Sequence, residues 1–265
     1  MIFPFSQRKP YRGGPLFDRL STHCFDLGGT GLELTVPASD LVMKEPPRML
    51  NFPFQNAGWF DAHCKRNNMH DELSVFCEVW SYFPTGTKRM ASLLATGSNE
   101  RMGGLCINVA LNRVEKGQEL NLNDRESLGT YIKWEYGQHY DSVREECARR
   151  WKHGQPDQND SDRLMYKSSL ETYIKPLPNF NTAIFGGEQY THFNLKKGWA
   201  VTTDFYCMPL SEMYYLEIEM EFRFEVSDRN YDILMPDMQK TAEWLLQHIK
   251  IASPGKPGGP LPLPQ

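Results

Sequence analysis

Long apolar runs are absent from this 265-residue sequence. No stretch approaches the roughly 20 consecutive apolar residues that a membrane-spanning helix needs, so we expect no membrane insertion. The first 20 residues, MIFPFSQRKPYRGGPLFDRL, also lack the unbroken apolar segment and the small-residue cleavage site of a secretory signal. These two absences predict a cytoplasmic protein.

A basic excess is absent as well. The chain has 29 Lys and Arg residues against 33 Asp and Glu residues, which gives a formal net charge of −4. Proteins that bind nucleic acids normally carry a positive surplus that neutralises phosphates, so we expect no nucleic-acid partner. The acidic balance instead permits a protein partner with a basic surface. With 40% hydrophobic and 23% charged residues, the composition is that of an ordinary globular protein.

Recognisable catalytic motifs are scarce. The sequence has no Gly-x-Ser-x-Gly nucleophile elbow. Residues 26–31, DLGGTG, resemble the first phosphate motif of sugar kinases with the actin-like ATPase fold, but a second phosphate loop is missing. A glycine turn that leads into the strand at Leu32 is the favoured interpretation. We therefore assign no catalytic residue and no cofactor, and we keep a small-molecule-binding enzyme with an unrecognised active site as the alternative function.

Histidine and cysteine are adjacent at two places, which makes these pairs weak candidates for metal ligands. The candidates are His23, Cys24, His63, Cys64 and His70. Adjacent side chains on a strand point to opposite faces, and the Cys-x-x-Cys spacing of a zinc knuckle is missing. We expect structural roles for these residues and no metal site.

The cysteines are expected to be free thiols. The six are Cys24, Cys64, Cys77, Cys106, Cys147 and Cys207. Disulfide frameworks are typical of small secreted proteins, whereas this chain is long and shows no secretory signal. Cys77, Cys106 and Cys207 lie within apolar, strand-like segments, as buried thiols commonly do.

The distribution of Pro, Gly and polar residues predicts one central domain. Residues 1–20, rich in Pro, Gly and Arg, are expected to form an extended arm, and residues 253–265 a Pro/Gly-rich tail. Residues 21–252 then form a single α+β domain. The polar stretch 153–162, HGQPDQNDSD, is the best candidate for a long surface loop or an internal boundary.

Strand-like patterns outnumber helical ones, and the strands follow one another directly. We predict strands over residues 32–36, 73–83, 105–114, 188–195, 199–207 and 214–226. Helical spacing of apolar residues occurs over 124–136, 140–151 and 236–249, the last with Pro236 in its first turn. A meander followed by a helix favours an α+β fold. We expect an antiparallel sheet with flanking helices and a C-terminal helix that docks on it.

Residues 214–226 alternate between apolar and polar side chains over 13 positions. The polar positions carry the acids Glu217, Glu219, Glu221 and Glu225, with Tyr215 and Arg223 among them. We call the five residues Tyr215, Glu217, Glu219, Glu221 and Arg223 the acidic ladder. Period-two alternation predicts one buried face and one solvent-exposed face. The ladder is either a solvated sheet face or a docking surface for a basic partner, since like charges on one strand cost stability. We take its five residues as the candidate partner-binding site.

The ends of the predicted domain resemble those of some immunity proteins of bacterial type VI secretion. The resemblance rests on His23-Cys24, on residues 32–37 (LELTVP) and on residues 241–251 (TAEWLLQHIKI). Immunity proteins of this kind that have a Mog1/PsbP-like fold carry an antiparallel sheet flanked by helices. They bind and neutralise a toxic effector. The resemblance implies a bacterial, non-enzymatic protein that binds or inhibits another protein.

Overall fold

A computed structural model describes residues 10–39, 51–67, 72–85, 101–114, 125–153, 180–197, 201–225 and 228–252. The strands are β1 (Tyr11–Gly13), β2 (Pro15–Leu27), β3 (Thr30–Ser39), β4 (Glu72–Pro84), β5 (Gly103–Arg113), β6 (Asn181–Phe185), β7 (Glu188–Lys197), β8 (Val201–Pro209), β9 (Tyr214–Phe224) and β10 (Ile249–Ala252). The helices of this part are α1 (Ala57–Asn67), α2 (Arg125–His153) and α3 (Asp228–Gln247).

The strands form two antiparallel sheets, so the prediction of an α+β fold is confirmed. The large sheet has seven strands in the order β1-β4-β5-β9-β8-β7-β6, and the small sheet has the order β10-β3-β2. Neighbouring strands of the large sheet are antiparallel throughout. Since β9 lies fourth of seven, its residues have sheet neighbours on both sides.

The main core lies between the large sheet, the small sheet and α3. On β9, Leu216, Ile218 and Met220 are fully buried at this interface, as the alternation predicts. Burial of each such side chain contributes about 1.5–3 kcal/mol. The small sheet is tied in by Trp80 on β4, which is buried and donates from Nε1 to the Pro37 carbonyl oxygen at 3.1 Å.

The C-terminal helix docks on the sheet as predicted, but it begins earlier. It starts at Asp228, so Pro236 lies inside it rather than in its first turn. Pro236 is exposed, and water can therefore reach the carbonyl group that loses its helical partner. The predicted apolar stripe is confirmed for Met238, Ala242 and Leu245, which are buried.

A second core lies on the opposite side of the large sheet, beneath α2. The sequence predicts two helices here, whereas the structure has one continuous helix of 29 residues. Cys147 is buried near its C-terminal end, and its side chains that are buried in this core are Leu128, Tyr131 and Ile132. They pack on the sheet residues Val114, Phe193, Leu195, Phe205, Cys207 and Tyr215. The large sheet is therefore covered on both sides, although unevenly.

Most of residues 11–20, which the sequence assigns to an extended arm, lie in two strands. Tyr11–Gly13 pairs with β4, and β2 starts at Pro15 and pairs with β3. The chain turns at Gly13, where φ is 86° and a Cβ atom would lie 2.4 Å from the Ser81 carbonyl oxygen, so only glycine fits. Residues 1–9, most of the predicted loop at 153–162, Trp199 and the predicted tail at 253–265 lie outside the described residues.

Candidate functional site

The acidic ladder of β9 is divided between two environments. Tyr215 packs in the core beneath α2, with its ring centroid 6.2 Å from that of Tyr131. At the other end of the strand the side chain of Arg223 is 56% exposed. Only part of the ladder is therefore a surface.

Tyr215 links the sheet to α2 through a hydrogen bond. Its hydroxyl group donates to Glu135 Oε2 at 2.9 Å, and the Tyr131 hydroxyl donates to Glu135 Oε1 at 3.1 Å. Tyr215 is 2% exposed, so the prediction that it lies on a solvent-exposed face is wrong. Strand alternation shows that Tyr215 and Arg223 share a face, but a helix from elsewhere in the chain covers only the first of them.

Glu217 lies at the margin of the covered region. The residue keeps some exposed surface, but its carboxyl group is desolvated and lies 3.6 Å from the Cys207 Sγ atom, which donates to Oε2. Burial, followed by the nearby Glu219, Glu72 and Glu135 carboxylates, raises the Glu217 pKa to about 8. Glu217 is therefore largely protonated at neutral pH and does not add a full negative charge to the ladder.

The remaining ladder residues belong to a polar area that we call the open polar surface: Ser74, Asn108, Glu219, Glu221 and Arg223. Asn108 Nδ2 donates to Glu219 Oε2 at 3.4 Å, and Ser74 Oγ donates to Asn108 Oδ1 at 3.4 Å. Arg223 forms an ion pair with Glu221, and this pair raises the pKa of Arg223. A row of side-chain contacts thus runs across β4, β5 and β9.

The metal-ligand candidates that the structure describes lie on two elements, β2 and α1. His23 lies on β2, where its ring is 5.0 Å from that of Phe76, whereas His63 lies on α1 and stacks on Trp59 at 5.1 Å. Cys64 is buried, and its Sγ atom lies 3.8 Å from the Glu72 carbonyl oxygen. Burial, followed by the Glu33 carboxylate, raises the pKa of Cys24. His70 lies outside the described residues, and those described contain no group of three or more His, Cys, Asp or Glu side chains that fits a metal ion.

The sequence prediction missed a polar cluster on the outer strands. His192 Nε2 lies 3.2 Å from Asp204 Oδ1, and Asn194 Nδ2 donates to the same oxygen at 2.8 Å. The His192 ring also stacks on Tyr206 at 4.7 Å. In the structure β7 and β8 pair His192 with Tyr206 and Asn194 with Asp204, a register centred two residues beyond the predicted turn at 196–198, so the sequence prediction did not align these residues. An imidazole that a carboxylate holds in place can act as a general base when a nucleophile or substrate lies beside it.

Comparisons with known proteins give little guidance. No family model and no curated protein matches the chain. Among solved structures, the chain is similar to the crystal structure of LpqN involved in cell envelope biogenesis of Mycobacterium tuberculosis. The sequences are 10% identical, and the alignment covers 74% of this chain and 96% of that chain with a TM-score of 0.26. This TM-score is too low to support an argument about fold or function.

The length and apolar character of the described helices decide whether any of them could span a membrane. None of them combines the length and the apolar character that are needed to cross a bilayer. The 29 residues of α2 are long enough, but their exposed side includes Asp141, Arg144, Glu145 and Arg149.

Proposed function

We propose that this protein is a non-enzymatic binding protein, of an inhibitory kind, and that its protein partner places basic groups on the open polar surface. The observation that carries the proposal is the arrangement of Glu219 and Arg223 on two sides of Glu221, at the centre of a seven-stranded sheet. Asn108 and Ser74 support Glu219 from the neighbouring strands. Side chains that are already held in place lose less conformational entropy on binding.

The sign of the charge supports a basic partner. Glu219 and Glu221 outnumber Arg223 on this surface, and Glu72 lies close enough to Glu217 to raise its pKa. The chain as a whole carries a formal charge of −4. Such a field favours the approach of a positively charged protein and affects the association rate more than the final affinity.

A finer proposal is that the partner is a toxic effector, which this protein neutralises in a bacterium. Its support is the likeness of residues 32–37 and 241–251 to segments of type VI immunity proteins. In the structure these segments are neighbours, because β10 pairs with β3 through Ile249↔Leu34 and Ile251↔Leu32. The resemblance therefore concerns one contiguous part of the fold.

The cluster of His192 and Asp204 favours a second candidate, a small-molecule-binding enzyme. Both side chains are about one quarter exposed, at 25% and 24%, so a small molecule can reach them. The two functions involve opposite faces of the large sheet, since His192 pairs with Tyr206 and Tyr206 pairs with Ile218 on the core side. Substitutions on one face can therefore test one function without touching the other.

A binding experiment separates these functions. Proteins that co-purify from the native host would be identified by mass spectrometry, and each recombinant candidate tested by surface plasmon resonance. We expect the double variant Glu219→Lys/Glu221→Lys to associate with the true partner at least about tenfold more slowly at low salt. The wild-type association rate should also fall as salt rises.

The matched control reverses two exposed charges on α2, in Asp141→Lys/Glu145→Lys. It changes the net charge equally but lies on the helix rather than on the sheet. Equal association rates for the wild type and the Glu219→Lys/Glu221→Lys variant would contradict the proposal. Binding that is lost only in His192→Ala would favour the enzyme instead.

A further inference from the structure

Two cysteines lie side by side next to the open polar surface. Cys77 on β4 faces Asn108, and Cys106 on β5 faces Val79, so the two thiols are diagonal neighbours on one face of the sheet. Their Sγ atoms are 3.9 Å apart. Cys77 is exposed and Cys106 is half-buried, which leaves the pair accessible from solvent.

The other cysteines differ from this pair in exposure and in neighbours. Cys64, Cys147 and Cys207 are buried, and Cys24 is half-buried. Within the described part of the chain, the contact between Cys77 and Cys106 is the thiol–thiol contact that the structure shows. The sequence predicts that all six thiols are reduced and buried, and for Cys77 the expectation of burial is wrong.

The hydrogen bond between the two thiols makes them unequal. It lowers the pKa of Cys77 to about 7, although burial and the Glu78, Glu219 and Glu221 carboxylates oppose this effect. The same hydrogen bond and burial raise the pKa of Cys106. Cys77 is thus the thiol that ionises first, and a thiolate is the form that attacks disulfides.

We propose that Cys77 and Cys106 form a modification site that reacts with low-molecular-weight disulfides, cationic ones above all, and closes to an intramolecular disulfide. The inference is independent of the proposed binding function. It assigns the attacking role to the more exposed thiol and the resolving role to its half-buried neighbour.

The reaction balances in two exchange steps. The Cys77 thiolate attacks one sulfur of the small disulfide, forms a mixed disulfide and releases one small thiolate. Cys106 then gives its proton to that thiolate and attacks the Cys77 sulfur, which releases the second small thiolate; this takes up a proton from water. Two protein thiols are oxidised and one small disulfide is reduced. Closure brings the two Sγ atoms from 3.9 Å to about 2.05 Å, which side-chain rotation and a small strand movement must supply.

The preference for a cation follows from the neighbouring carboxylates. Glu219 and Glu221 act electrostatically on both thiols. Arg223, which is paired with Glu221, only partly offsets them. A positively charged disulfide is therefore concentrated near Cys77, and a negatively charged one is repelled.

The experiment treats the folded chain with cystamine, a cationic disulfide, or with the neutral bis(2-hydroxyethyl) disulfide. Excess thiols are then alkylated in denaturant, and the protein is analysed by intact mass and non-reducing peptide mapping. We expect a Cys77–Cys106 crosslink with the loss of two hydrogens, formed faster than any adduct at Cys24. In Cys106→Ser the reaction should stop at a cysteamine adduct on Cys77, and in Cys77→Ser it should slow at least about tenfold.

Charge selectivity is measured as the ratio of the reaction rate with cystamine to the reaction rate with bis(2-hydroxyethyl) disulfide. This ratio should fall at least about threefold in Glu219→Gln/Glu221→Gln, because the two carboxylates that attract the cationic disulfide are removed. The rate with the neutral disulfide serves as the reference in each protein. A wild-type chain that accumulates the mixed disulfide without closing would overturn the proposal. Reaction at Cys24 ahead of Cys77 would overturn it as well, and an unchanged rate ratio would overturn the cation preference.

Discussion

The two ends of the acidic ladder differ in their exposure to solvent. Both ends lie on one strand and one face of β9, yet Tyr215 is 2% exposed and the Arg223 side chain is 56% exposed. The difference arises from α2, which packs over β7, β8 and the first residues of β9. Alternation in a strand therefore identifies a shared face, but packing by a distant segment decides whether that face meets water.

The same contrast separates two glutamates that the sequence makes equivalent. Glu217 has a desolvated carboxyl group that hydrogen bonds with Cys207, and its pKa is raised to about 8. Glu221 instead pairs with a cation, Arg223. The covered end of β9 thus supports the fold, whereas the open end offers charge to a partner.

The largest effect is expected on the core side of the same strand. Ile218 is fully buried between the sheets, and Ile218→Asp places a carboxylate there. We expect the domain to unfold, because an unpaired charge in a core costs several kcal/mol. Circular dichroism with urea titration would show this, with Arg223→Asp as the control on the exposed side. A cooperative transition for Ile218→Asp near that of the wild type would mean that the faces of β9 are inverted.

The second prediction concerns Glu217 and pH. Its pKa is raised from 4.5 to about 8 in the folded protein, so the folded state holds this proton more tightly than the unfolded state. The stability that Glu217 contributes is therefore complete below about pH 4.5 and is lost as the pH rises towards about 8. The groups that act on it are Glu219, Glu72, Glu135 and Cys207. Glu217→Gln should remove this slope and stabilise the protein by roughly 3 kcal/mol at pH 7.

Urea titrations at several pH values between about 5 and 8 would measure the slope for Glu217→Gln. Glu221→Gln is the matched control, because it removes a carboxylate of the same strand at the open end. It should keep the wild-type dependence on pH. If Glu217→Gln kept that dependence too, Glu217 would be solvated in the folded protein and the covered end would be smaller than the structure shows.

Much of this division could be predicted from the sequence, and one part could not. The fold class, the faces of β9 and the C-terminal helix follow from local periodicity, which depends on neighbouring residues. The cover over Tyr215 depends on α2, whose contact residue Glu135 lies 80 positions earlier in the chain, and polarity alone predicted an exposed strand face there. Glu217 was misjudged for the same reason. The contact of His192 with Asp204 needed the register of a hairpin.

The third prediction tests the attachment of α2. Tyr215→Phe removes the hydroxyl group that donates to Glu135 Oε2 at 2.9 Å and keeps the aromatic packing. We expect a loss of about 1 kcal/mol, the usual value for one hydrogen bond. Hydrogen exchange should also quicken in α2 more than in β4. Tyr231→Phe, at an exposed tyrosine on α3, is the control and should change neither quantity. Uniform exchange rates in Tyr215→Phe would mean that other contacts hold the helix.

The smallest effect is expected at Arg223. Removal of its side chain in Arg223→Ala breaks the ion pair with Glu221, whose side chain is 12% exposed. We expect water to reach the Glu221 carboxylate once the neighbouring Arg223 side chain is gone. We expect a loss below about 1 kcal/mol, as for other exposed pairs. The loss should shrink further in about 1 M NaCl, where the Debye length is near 3 Å.

Urea titrations at low and high salt would measure both values, with Glu221→Gln and the double variant completing a cycle. A salt-independent loss of several kcal/mol would place the Glu221 carboxylate in a buried site like that of Glu217, and the distinction between the two ends of β9 would fail.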